Sequence, residues 1–130
     1  MPAPTTATYS ASALAAAHTA FRDLIDAGPS AGSIRIRSAS DELLAQIPLT
    51  KPCGTVNTAT GQLTLTAAGR DEGADATGTA AYGEFCDSSG TVHLALPAQA
   101  GSVAVQGKLV ISALNITVAE PVAVLSATLG

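Results

Sequence analysis

ADATGTAAYGEFCDSSGTVHLAL, residues 74–96, reads as a β-hairpin. Thr79 to Cys86 is the outgoing strand, Asp87-Ser88-Ser89-Gly90 the turn, and Thr91 to Leu96 the return. Asp first and Gly last suit a type I turn, with Gly90 free to take positive φ. The alternation puts Val92, Leu94 and Leu96 on one face and His93 on the other. The stretch carries no obvious chemistry.

Working outward, most of the chain keeps this period of two. SIRIRS (33–38) alternates Ile34 and Ile36 with Arg35 and Arg37, a half-buried strand with a cationic outer face. ELLAQIPLT (42–50) is a further strand, which Pro48 pushes towards a sheet edge or a bend. GQLTLTA (61–67) alternates Leu63 and Leu65 with Thr64 and Thr66, and RDEGADATG (70–78) is a polar loop. Beyond the hairpin, Val103 to Val105, Leu109 to Leu114 and Val122 to Leu129 read as three more strands, with AEP (119–121) as the break before the last.

Upstream the period changes. Ser10 or Ser12 can cap a helix running to about Ala27. Leu14, Ala17, Phe21, Leu24 and Ile25 share one of its faces. Gly28 suits the left-handed position after a helix, and Pro29 blocks continuation. The predicted fold is therefore mainly β, an antiparallel β-sandwich or jelly roll with one N-terminal α-helix. Residues 1–9 are expected to form a flexible N-terminal arm, and residues 10–130 a single β-sandwich domain that includes the helix.

Composition bounds the rest. The 130 residues are 47% hydrophobic, 12% charged and only 3% aromatic, so the core is built from Ala, Val, Leu and Ile. Small side chains bury less area each, which favours a chain that gains stability from an interface. A net charge of −4 and six scattered cations (Arg22, Arg35, Arg37, Lys51, Arg70, Lys108) argue against nucleic acid. No basic residue precedes the weak N-terminal apolar stretch, so a secretory signal is not expected, and no apolar run is long enough to span a bilayer.

Reactive groups are sparse. His18 and His93 are the available bases, and neither lies near a G-x-S-x-G elbow. Asp71, Glu72 and Asp75 share a loop that could hold a hard cation, but their spacing is not that of an EF-hand, so a solvated turn is the better reading. Cys53 and Cys86 lack ligand spacing. They read as two buried free thiols, with a disulfide as the alternative. Asn115-Ile116-Thr117 is a formal glycosylation sequon, taken as chance. Arg35 and Arg37 could meet acidic partners, although a solvated strand face is the plainer reading. No catalytic, cofactor-binding or metal residue is assigned, no cofactor is expected, and the chain is not read as an enzyme.

The order of these segments carries a resemblance. A helix and strand in ALAAAHTAFRDLIDAGPSAGSIRIRS (13–38), then DELLAQIPLT (41–50), GQLTLTA (61–67) and ADATGTAAYGEFCDSSGTVHL (74–94), resembles a group of small tailed-phage virion proteins. It extends from about residue 10 to the end and is similar to the capsid decoration or cement proteins. The resemblance implies a β-sandwich or jelly roll that binds the outer surface of the capsid after synthesis in the host cytoplasm. It implies the major capsid protein and two further copies of the chain, as a homotrimer, for partners, with no nucleic acid and no membrane. Residues 1–10 and 121–130 are expected to supply contacts between subunits, because edge strands and free ends can pair with neighbours. The competing readings are a phage tail or baseplate component, a free-standing ligand-binding β module with Tyr9, Phe21, Tyr82 and Phe85 as its few aromatics, and, last, a small hydrolase.

Overall fold

The structure, a computed structural model, describes residues 3 and 7–130. The expected arm, residues 1–9, therefore falls largely outside the described residues. Ala3 and residues 7–9 carry neither helix nor strand.

Helix α1 spans Ala11–Asp26 and starts where the sequence signals it, with the Ser10 hydroxyl accepting from the Ala13 N–H at 3.1 Å. Its inward face is rotated from the expected one. Leu14, His18, Phe21 and Ile25 turn towards the sheet, whereas Ala17 and Leu24 are exposed. The backbone after the helix also departs from expectation. Ala27 caps it in right-handed geometry, and Gly28 has no positive φ. Gly28 is small for another reason: a Cβ there would lie 1.7 Å from the Ser88 Oγ of the hairpin turn.

Eight strands follow: β1 (Ser33–Ser38), β2 (Leu43–Val56), β3 (Leu63–Ala67), β4 (Gly78–Cys86), β5 (Val92–Ala100), β6 (Leu109–Ile111), β7 (Asn115–Ile116) and β8 (Val124–Leu129). They lie in the order β1-β2-β3-β8-β6-β5-β4-β7, and β1 also pairs with β4. That extra pairing closes seven strands into a barrel, with β7 added beside the start of β4. The fold is mainly β with one helix, as the sequence indicates, but the expected antiparallel sandwich or jelly roll is replaced by a closed, mixed barrel. Two features make the difference. β1 pairs on both edges instead of ending a sheet, and β5 runs parallel to β6.

The parallel pair follows from residues 101–108. Val103–Val105 is not a strand; Gly107, at φ +78°, and Gln106 sit against Thr128 while the chain turns back beside β5. The expected strand from Leu109 to Leu114 is cut to three residues, and β7 forms separately.

Bulges bend the strands enough to close. Opposite Ile36 and Arg37, Leu44 is the extra residue, so Leu44 and its neighbour Ala45 are both buried. β2 is longer than expected and is not an edge. Near Pro48 it passes from β1 to β3, so the bend alternative holds. Inside, Ile34, Ile36, Ile47, Leu63, Phe85, Leu109 and Ile111 form the core, joined by Ile25 with Phe21 beside it from the helix. Gly83 makes room there, since a Cβ would lie 2.4 Å from Leu109 Cδ2.

Candidate interaction surface

The residues singled out for chemistry are held in structural roles, at separate places. His18 Nδ1 donates to the Gly61 carbonyl at 2.7 Å, tying α1 to the loop before β3. His93 is the extra residue of a bulge, since Phe85 faces Leu94 while Cys86 faces Val92. The bulge breaks the expected alternation. Val92 is exposed, Leu94 half-buried and Leu96 buried.

Beside the bulge, His93 Nε2 lies 3.0 Å from Asp87 Oδ2. The other Asp87 oxygen accepts from the Ser89 hydroxyl at 2.7 Å and from the Ser89 and Thr91 amides, each at 3.0 Å. The Ser89 hydroxyl, with help from His93, holds the Asp87 carboxyl well below the usual carboxylate range. Serine and histidine thus meet the aspartate from its two oxygens. In a hydrolytic relay the histidine would stand between serine and aspartate, and here it does not. The turn itself is as predicted, with the Gly90 amide donating to the Asp87 carbonyl at 3.0 Å and Gly90 at φ +88°.

Asp71 is spent on backbone. Its oxygens accept from the Gln46 amide at 2.9 Å and the Gly73 amide at 3.0 Å, while Glu72 faces Arg70. Among the described residues no three His, Cys, Asp or Glu side chains gather as a metal-binding group.

Cys53 and Cys86 are buried free thiols, so the disulfide alternative is set aside. Burial, reinforced by Asp26, pushes the Cys53 thiol up to about 12. Burial also raises Cys86. Asp26 accepts from the Cys53 amide through both oxygens, at 3.0 and 3.1 Å. Asn115 Oδ1 accepts from the Thr79 hydroxyl at 3.2 Å.

The arginines of β1 are not a free cationic face. Arg37 pairs with Glu84 across the β1–β4 seam and donates to the Asp41 carbonyl at 3.1 Å, and Tyr82 donates to Asp41 Oδ1 at 2.7 Å. Arg35 lies over the hairpin turn, and its buried Nε has no hydrogen-bond partner among the described residues. Of the four aromatics, Phe85 is buried and only Tyr9 is largely exposed, at 77%.

What remains is the surface around β8. A bulge opposite Val110 and Ile111 leaves Leu125 as the extra residue, and its side chain is 53% exposed. Two shallow cavities flank it. One, of about 300 Å³, is lined by Gly101, Ser102, Ser112, Ala123, Val124 and Leu125. The other, of about 350 Å³, lies between residues 64–67 of β3 and 124–126 of β8. Among the described residues, none that lines either is charged. Val103, in the loop that supplies Gly101 and Ser102, is 69% exposed.

The sequence marked 121–130 as an apolar end but not the projecting Leu125. The signal lay in the doublet Val124-Leu125, which breaks strict alternation as a bulge does. Comparison with protein-family models, curated proteins and solved structures gives no match to this chain.

Proposed function

We propose that this chain is a virion structural protein that binds the outside of a phage capsid and stabilises contacts between major capsid subunits. The observation that carries the binding part is the uncharged surface around Leu125, where a large apolar side chain projects between two shallow cavities. Exposed apolar side chains grouped around concave surface are characteristic of protein-binding sites. Leu125 itself lies within residues 121–130, one of the two segments from which subunit contacts are expected, while residues 64–67, 69, 101, 102 and 112 complete the surface. The choice of capsid as partner rests on the resemblance of residues 10–130 to decoration proteins. Repeated, symmetric attachment as a homotrimer turns modest single contacts into firm binding.

The test is the composition of purified particles with heads and tails separated. A high copy number confined to heads, in a simple ratio to the shell protein, supports the proposal. Presence in tails alone transfers the chain to the tail or baseplate, and absence from particles removes the virion reading.

A further inference from the structure

We propose that the cavity between the two arms of the loop from Ile111 to Ala123 is a socket for a lysine side chain of a partner protein, with Glu120 as its counter-charge. The socket goes beyond the particle-binding reading and does not depend on it.

The cavity exists because the arms are held from outside and not by each other. On one arm, β7 pairs with β4 through Ile116–Gly78 and Asn115–Thr79. On the other, Val122 and Asp71 exchange two backbone hydrogen bonds, each of 2.8 Å. Among the described residues no ladder joins β7 to residues 121–123. The turn between the arms is fixed as well. Ala119 takes φ +69°, and its amide donates to the Ala74 carbonyl at 2.9 Å. The Glu120 carbonyl accepts from the Ala74 amide at 2.8 Å, and the Glu120 amide donates to the Thr117 carbonyl at 3.1 Å. Glu120 thus stands on backbone already in place, so little ordering is needed when a ligand arrives.

The lining sets the chemistry. Ile111, Ile116 and Val122, all buried, share it with Ser112, Asn115, Thr117 and Glu120. Glu120 is the only charged residue among the described ones there, and it makes no ion pair among them. A carboxylate with hydroxyl and amide oxygens around it suits a cation, and the apolar wall suits an apolar stem. Lysine unites the two, a flexible four-carbon stem ending in a compact ammonium with three donors. Size agrees. The cavity of about 140 Å³ equals roughly five waters at about 30 Å³ each, the bulk of four methylenes and one ammonium. Arginine, longer and ending in a wide planar fork, is too large, and a metal ion would leave the apolar wall without a role.

The test uses the full-length chain labelled with ¹⁵N, titrated with n-butylammonium chloride at constant pH and ionic strength. The expected result is saturable shifts of the Asn115, Thr117 and Ala123 amides, with those of β1 unmoved. Glu120→Gln keeps the shape of an exposed side chain while removing its charge, and should weaken binding about tenfold. Glu42→Gln, an exposed acid on the β1–β2 turn, should leave it unchanged. 1-Butanol, which has the stem without the charge, should bind about tenfold more weakly than the ammonium. No saturable shift, equal binding by E120Q or of butanol, or equal loss in E42Q overturns the socket. Nα-acetyl-lysine methylamide should bind as well as butylammonium. If only the free amine binds, the assignment to a partner's lysine falls.

Discussion

Asp87 organises its turn with one carboxylate that accepts from two backbone amides, the Ser89 hydroxyl and His93. These donors favour the ionised form, so the folded chain holds the carboxyl below its unfolded value of about 3.9. The sign follows from linkage: the stabilisation is complete above the unfolded value and fades as pH falls below about 4. Asp87→Asn should therefore be less stable than the parent at pH 7, and the gap should narrow by pH 3. Urea midpoints at the two pH values check this; a gap that stays constant would exclude the carboxylate as its source. Gly83 is a matter of space. Gly83→Ala pushes a methyl group against Leu109 and should cost about 1–3 kcal/mol, measured by urea unfolding. In a Leu109→Val background the cost should shrink, because the clashing methyl is gone. The turn was legible in the sequence from Asp87 and Gly90. Gly83 was not, since its crowding comes from a residue on another strand.

At the scale of elements, α1 depends on its cap and on what lies beneath it. Ser10→Ala leaves the Ala13 amide without its side-chain acceptor and should cost about 0.5–2 kcal/mol, read from thermal unfolding followed at 222 nm. The rotated helix face has a physical cause. His18 turns inward because it can donate to Gly61, whereas hydrophobic periodicity scores histidine as polar and gives the place to Ala17 and Leu24. Near the C-terminal end of the helix, Asp26 holds the Cys53 amide, and the Cys53 thiol donates to the Arg22 carbonyl at 3.8 Å. With this thiol raised to about 12 and Cys86 also buried, neither should react with a disulfide reagent at pH 8 until the barrel opens. Titration with and without urea checks it, and fast labelling of the native chain would contradict the burial. The strands with clean alternation, β1 and β3, were readable because each buries one face. The short β6 and β7 were not, because Leu109 to Leu114 reads as one strand, and only tertiary pairing ends it at Ile111 and starts another at Asn115.

At the scale of the whole molecule, the distinction between barrel and sandwich rests on one long-range pairing. Ser33–Ser38 meets Ala80–Cys86, far away in sequence, and no local signal separates a β1 that ends a sheet from one that closes it. Closure makes the core continuous: Phe85 on β4 belongs to one buried cluster with Ile34 on β1, Leu63 on β3, Ile111 on β6 and Ile25 on α1. Aromatics are only 3% of the chain, and Phe85 is the largest fully buried side chain, so its loss has few large neighbours to fill the space. Phe85→Ala should cost about 3–5 kcal/mol, a large share of the roughly 5–15 kcal/mol typical of such chains. Because helix and strands share this cluster, the loss should appear as one cooperative shift. Helical signal at 222 nm and tyrosine fluorescence from Tyr82 on β4 should move to the same lower urea midpoint. A helix that melted at its old midpoint while the barrel weakened would mean that α1 is only laid against the barrel, and that Ile25 and Phe21 contribute little to its closure.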